Sequence, residues 1–245
     1  GYLVIMSKRL FAFALGLFCH LMFISAVGLM SWSIFYGMTK SIYPIGGDLG
    51  RYFNLVLLVQ FPLCHSMLLT KNGQSFLRLL TLNKFGYDLN TTWFALISSA
   101  QLLFVFVFWT PSSGYTFSAQ GMVLFVWGMI YFASWILLAK SMYDASLPLQ
   151  LGALGWMAVS KGKRPKYPGM PMEGTFRVCR QPIYLSFFLI ILTAPFWSVD
   201  HLILLILWGP YCFVGPMFKE KRYQRIYGDT FSNYKEKTPY MIPIK

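Results

Sequence analysis

Apolar residues in this chain gather into long runs separated by short polar stretches. The first run, 10–35, holds no charged residue and exceeds the roughly 20 residues that a helix needs to cross the hydrocarbon core of a bilayer. The second, 52–69, carries Gln60, Pro62 and His65, all unusual in contact with lipid. The third and fourth cover 89–109 and 118–139. A shorter stretch, 147–159, contains Pro148, Gly152 and Gly155 and reads as an interfacial or buried piece rather than a crossing. Two further runs, 183–196 and 201–218, are separated only by 197–200 and read as a helical hairpin whose first arm is short for a span. The pattern predicts an all-α polytopic integral membrane protein with about six transmembrane helices. It forms one membrane domain over 1–245, with a four-helix region at 1–139 and a loop, hairpin and tail at 140–245.

Composition strengthens this picture. Hydrophobic residues make up 56% of the 245 and charged residues 12%, against about a quarter charged in an ordinary soluble domain. So few charges do not cover a water-facing surface, and lipid is the natural substitute. The net charge of +13 would suggest nucleic acid if it were spread over a folded surface. Here it falls in blocks between apolar runs, beside anionic headgroups, which argues for membrane lipids as partners and against nucleic acid.

The blocks also alternate. Lys8 and Arg9 precede the first run, and Lys71, Arg78 and Lys84 follow the second with Asp88. The segment 140–180 has seven basic residues to two acidic, and the segment from 219 onward seven to three. The intervening loops hold Lys40, Asp48 and Arg51 in one, no charge in 110–117, and only Asp200 in the last. The bias of basic residues predicts that both termini are cytoplasmic. The first run is too long for the core of a signal peptide and no small-residue cleavage site ends it, so it reads as the first span. In the tail, Arg222, Arg225 and Lys235 alternate with Tyr223, Ile226, Tyr227, Phe231 and Tyr234, a spacing that predicts an amphipathic helix on the membrane surface.

Candidate chemistry concentrates where basic loops meet apolar runs. Arg177, Arg180, Gln181, Pro182 and Tyr184 stand at the entry to the hairpin. The arginines read either as interfacial anchors or as a clamp for a carboxylate or other anion. Glu220 leaves the hairpin's second arm among Lys219, Lys221 and Arg222, so Arg180 and Glu220 are expected to face one shallow cavity. His65, with Gln60 and Ser66, is an ionisable group inside a span and so a candidate for function as well as for helix packing. The cysteines, Cys19, Cys64, Cys179 and Cys212, form no CxxC pair, and no metal site is expected. Residue types and spacing leave enzyme, transporter and scaffold all open.

The ordered residues of the last third narrow the choice. Arg180, Gln181, Pro182, Ile183 and Tyr184 resemble the R-H-P-x-Y motif of the isoprenylcysteine carboxyl methyltransferase superfamily. An apolar hairpin follows, then Glu220, which resembles the second acid of that family's E-E-x-x-L element. Gly228, Phe231 and Tyr234 resemble its G-x-x-Y-x-x-Y pattern, and Thr238 to Pro243 its closing V-P-x-x-x-P. Cys64, His65 and Ser66 resemble the Q-H-S of the methanethiol S-methyltransferase and NnrU-like branch, and Lys161 to Pro171 its R-G-R-P-Y-x-x-P-P loop. Three positions depart: Gln181 replaces the motif histidine, Lys219 the first acid and Tyr223 the leucine. Glutamine keeps hydrogen-bonding capacity but does not titrate near neutrality.

The resemblance implies an S-adenosyl-L-methionine-dependent methyltransferase acting on a small or lipidic thiol, with methanethiol as the leading acceptor and dimethyl sulfide as product. It implies cofactor contacts from Arg180, Gln181, Tyr184, Glu220, Tyr234 and His65, and roles for Arg177 and Glu220 in catalysis. The alternatives are methylation of prenylcysteine or another lipid acceptor, a haem-binding NnrU-like protein using His65, and a non-catalytic membrane interaction protein.

Overall fold

The computed structural model describes residues 2–81, 84–112 and 114–242. Four helices in it are long and apolar enough to cross a membrane: α1 (Tyr2–Phe35), α4 (Asn90–Val107), α5 (Gly121–Asp144) and α10 (Val199–Tyr227). Their outward faces carry large apolar side chains, among them Leu17, Leu21 and Ile24 on α1 and Phe125, Phe132 and Ile136 on α5, all exposed. Such faces are unfavourable in water and natural against lipid tails. The protein is therefore an all-α polytopic membrane protein.

The remaining helices depart from the simple six-span expectation. Helix α2 (Gly47–Leu68) and the short α3 (Lys71–Leu79) meet the spanning measure only as a pair, and they are bent by 89°. Thr70 makes the bend, accepting a hydrogen bond on Oγ1 from Gly73 N at 3.2 Å as the cap of α3. The first arm of the hairpin, α9 (Pro182–Leu192), has only 11 residues. That is about 16 Å of helix against a hydrocarbon core of about 30 Å. The count is thus four spanning helices, or five with the bent pair.

Helix α9 stops early because the apolar residues beyond it serve another structure. Phe196–Ser198 forms strand β2, which pairs antiparallel with β1 (Tyr115–Ser118) in the register Phe117↔Trp197 and Ser118↔Phe196. The tail is also divided. Its first half simply continues α10, and Gly228, at φ 50°, turns the chain into a separate α11 (Asp229–Lys237) that buries Phe231. The resemblance at Pro243 lies outside the described residues.

The stretch expected to be interfacial or buried forms α6 (Leu147–Gln150) and α7 (Ala153–Ser160) and does not cross. Helix α7 lies against α1 and α4. Trp156 Nε1 donates to His20 Nε2 at 3.0 Å, Gly155 N donates to Thr91 Oγ1, and Thr92 Oγ1 donates to Gly152 O at 2.7 Å. A side chain on Gly16 would collide with the Trp156 indole, so the glycine permits the approach. The main core, with Phe106, Trp109, Ile190, Leu204 and Trp208, lies where α4, α9 and α10 meet.

Pro62 leaves its mark within α2. Proline has no N–H to give to the carbonyl four residues earlier, and that carbonyl, Leu58 O, instead accepts from Trp208 Nε1 of α10 at 2.9 Å.

The two ends of the bundle differ. At one, Lys8 Nζ donates to Lys84 O at 3.4 Å, Arg9 lies against Gly162, and the exposed bases Lys161, Lys163, Arg164 and Lys166 follow. Asp144, ion-paired to Lys140, accepts from Thr175 N at 2.8 Å and Thr175 Oγ1 at 2.9 Å, which returns the loop 161–174 to the end of α5. At the other end, Asn54 exchanges two hydrogen bonds with the Thr110 backbone, at 2.7 and 2.9 Å. Ser198 Oγ donates there to Gly37 O at 2.5 Å, and Asp200 accepts from Ser112 N and Ser112 Oγ at 2.8 and 2.7 Å.

Candidate functional site

The densest polar cluster stands at the basic end, where α9 begins, α10 leaves the core and the tail returns. Pro182 opens α9, a favourable position because its missing N–H has no helical partner there. The two residues before it, Arg180 and Gln181, are therefore held at the helix entrance, and both are buried.

Arg180 and Glu220 meet as a bidentate pair. Nε lies 2.9 Å from Glu220 Oε1 and Nη2 lies 3.2 Å from Oε2. Gln181 Nε2 also donates to Glu220 Oε1, at 2.8 Å. The remaining donor face of Arg180 reaches the tail, with Nη1 donating to Thr238 O at 2.5 Å and Lys235 O at 3.1 Å. The Arg180 backbone N–H donates to Pro239 O at 2.9 Å, and its guanidinium lies over the Tyr240 ring, 5.5 Å from the centroid. One arginine thus ties α9, α10 and the tail together. Burying a charge without such partners costs several kcal/mol.

The tail closes over this centre. Tyr234 OH donates to Phe176 O at 2.6 Å and Tyr240 OH to Phe213 O at 2.6 Å. Burial raises both phenols well above the ordinary tyrosine value, and for Tyr240 burial together with the nearby Glu220 carboxylate pushes it up to about 12. The Cys179 thiol is likewise raised by burial, against the lowering pull of a Gln181 backbone hydrogen bond, Arg180 and Lys219. These groups are neutral at physiological pH. Gln181 Oε1 is buried and makes no hydrogen bond.

Of the other expected site residues, Tyr184 lies at the edge of the cluster, its ring 5.6 Å from Lys219 Nζ. Arg177 is exposed and ion-paired to the exposed Glu173, so the structure does not bring it to Arg180 and Glu220. His65 faces α4, with Nδ1 3.0 Å from Ser98 Oγ and its ring beside Phe61 and Phe94. The neighbouring Ser66 reaches α10 instead, where its hydroxyl lies 3.4 Å from Tyr211 OH.

That hydroxyl pair marks an open groove of about 320 Å³ between α2 and α10, lined by Leu58, Val59, Pro62, Leu63 and Trp208 among others. The groove is apolar apart from Ser66 and Tyr211. Tyr211 also packs at Gly215, where Tyr184 arrives from the other side. Tyr211 therefore connects the groove with Tyr184 at the edge of the polar cluster.

Sequence reasoning did not foresee Tyr240, Phe176 or the carbonyls of Lys235 and Thr238 as parts of the centre. Backbone carbonyls leave no trace in a sequence. Tyr240 lies within the closing motif and was the one discoverable signal.

No family model and no solved structure matches the chain. Among curated proteins, methanethiol S-methyltransferase 1 of Bradyrhizobium diazoefficiens is 24% identical over 194 residues, which cover 78% of this chain and 66% of the relative's length. A methanethiol S-methyltransferase of a Pseudomonas species is 21% identical over 98% of this chain and 92% of its own. That of Pseudomonas deceptionensis is 27% identical over 82 residues, 31% of each chain. At this level of identity the chain is similar, along most of its length, to proteins named methanethiol S-methyltransferase.

Proposed function

We propose that this protein is an S-adenosyl-L-methionine-dependent S-methyltransferase whose acceptor is a small or apolar thiol, with methanethiol first among them. The observation that carries the reading is the convergence of Arg180 and Gln181, Glu220, and Tyr234, from three separate segments of the sequence, on one buried centre in the order that the resembled motif requires.

The chemistry of these residues fits the amino-acid end of the cofactor. A carboxylate suits the planar, bidentate guanidinium of Arg180, and an ammonium suits the carboxylate of Glu220. A zwitterion exchanges like for like in an ion pair, so neither buried charge need lose its counter-charge. Gln181 Oε1 adds an acceptor that has no partner among the described residues. Glutamine in place of the motif histidine suits a holding role and not a proton-carrying one. When bound, the cofactor supplies a methyl group on a sulfonium, which needs an in-line nucleophile and a dry site rather than a strong acid. The tail provides the dryness: Tyr234 and Tyr240 lock it across the centre through their hydrogen bonds.

The groove between α2 and α10 supports an apolar acceptor that approaches from the bilayer, because its walls are apolar and Tyr211 connects it with Tyr184. A thiol on a longer apolar chain, such as a prenylated cysteine, fits the same description and is the second acceptor class. In this reading the basic end, with both termini, faces the cytoplasm. Arg177 and His65 serve the centre only indirectly, as an interfacial anchor and as a helix-packing group between α2 and α4.

Isothermal titration of detergent-purified protein with S-adenosyl-L-methionine and S-adenosylhomocysteine tests the reading. The expected result is binding by wild type and its loss in Arg180→Ala and Glu220→Ala. Wild-type protein that binds neither compound overturns it. A subsequent assay of methanethiol against prenylcysteine analogues separates the two acceptor classes.

A further inference from the structure

Lys219 stands out at the centre because its charge is not answered. Its neighbour Glu220 is the nearest acid, but both Glu220 oxygens are taken, by two hydrogen bonds from Arg180 and one from Gln181. Consecutive residues on a helix point about 100° apart, and Lys219 is directed toward aromatic faces instead. Its Nζ lies 5.6 Å from the Tyr184 centroid and 5.7 Å from that of Tyr223. Among the described residues, no hydrogen bond or ion pair engages the ammonium.

The groups facing Lys219 come from three elements. Glu220, Arg222 and Tyr223 share its helix, Tyr184 comes from α9, and the Cys179 thiol from the link before α9 lies within electrostatic reach. Of these, only Glu220 is an anion. The site thus combines a half-buried cation that makes no ion pair among the described residues, two aromatic rings, and, through Tyr211 beside Tyr184, the neighbourhood of an apolar groove. This is a place for a small anion carried on an apolar body.

We propose that Lys219 holds the acceptor thiol as its thiolate. The inference rests on the methyltransferase reading and names the residue that selects and activates its second substrate. A thiol is a poor nucleophile until it loses its proton, and aliphatic thiols are mostly protonated near neutrality. A cation within about 4–6 Å lowers an acid's pKa by roughly 1–3 units. In the balanced step, the thiol proton passes to water on binding and Lys219 keeps its own. The thiolate lone pair then forms the new S–CH3 bond as the methyl group's bond to the sulfonium breaks, and that electron pair leaves with the donor sulfur as a neutral thioether.

The test compares wild type, Lys219→Arg and Lys219→Met in two measurements. The first is the pH dependence of kcat/KM for ethanethiol. Lys219→Met is expected to lose about 10- to 100-fold at neutral pH and to recover as the pH approaches the thiol's own pKa, whereas Lys219→Arg retains most activity. The second is calorimetry of ethanethiol binding to the protein saturated with S-adenosylhomocysteine, in two buffers of different ionisation enthalpy. Wild type is expected to release more protons per thiol bound than Lys219→Met. S-adenosylhomocysteine binding with the same proton release and pH profile in Lys219→Met overturns the role of Lys219 alone. Failure of wild type to bind S-adenosylhomocysteine overturns the methyltransferase reading beneath it.

Discussion

The two ends of this bundle handle polar groups in opposite ways. At the end that holds β1 and β2, side chains pair with backbone: Asn54 with Thr110, Ser198 with Gly37, and Asp200 with the amide and hydroxyl of Ser112. Asn54 and Asp200 fasten the loop after α4 to α2 and α10, and Ser198 fastens β2 to the turn after α1. At the basic end, charges pair with charges, a tail folds over them, and binding capacity is left over in Lys219 and in Gln181 Oε1. The first end is built as a seal. The second has the features of a candidate site through its buried Arg180–Glu220 pair, since unpartnered buried polar atoms also occur at the first end, at Trp109 Nε1 and His201 Nδ1.

Substitutions can break this contrast, beginning with the largest effect. Glu220→Ala strands the buried Arg180 charge, and unfolding in detergent is expected to show a loss of about 3–5 kcal/mol together with loss of cofactor binding. Asp200→Ala at the sealed end removes two hydrogen bonds and leaves the Ser112 amide without its acceptor, for about 2–3 kcal/mol. Calorimetry should find cofactor affinity unchanged in that variant, and an equal loss of affinity would dissolve the distinction between the ends. Asn54→Ala follows at about 1–2 kcal/mol, again with binding intact.

Tyr240→Phe removes one hydrogen bond to Phe213 O and is expected to cost about 1 kcal/mol of stability, but more in binding, because the tail closes the centre. The same residue gives a signature in alkali. Unfolded tyrosine loses its proton near pH 10, while the folded group keeps it to about 12. The folded state therefore binds the extra proton across that window, and stability declines as pH rises from 10 to 12. Denaturant titrations at pH 9 and pH 11.5 should show a smaller decline in Tyr240→Phe.

Much of the fold is legible in the sequence because the bilayer imposes a coarse rule. Runs of about 20 apolar residues must be helical, and α1, α4, α5 and α10 obey it. Helix α9 escapes the rule. The residues after it, through Phe196, are as apolar as a span, yet they bend into a strand whose partner at 115–118 is some 80 positions away. Nothing local to 193–198 reveals that partner. The union of Arg180 with Glu220 is legible from motif order and from their places at the mouth of one hairpin. The difference between Arg180 and Arg177 is not, since both are arginines at the same boundary. Only the turn at Cys179 and the start of α9 send one inward and leave the other beside Glu173.

Pro62 has a wider consequence than the hydrogen bond that it leaves open within α2. With the Leu58 carbonyl committed to the Trp208 indole, helices α2 and α10 cannot slide past one another without stranding a carbonyl in hydrocarbon. The two therefore travel as a single body. The hydrogen bond thereby couples the two helices that wall the apolar groove.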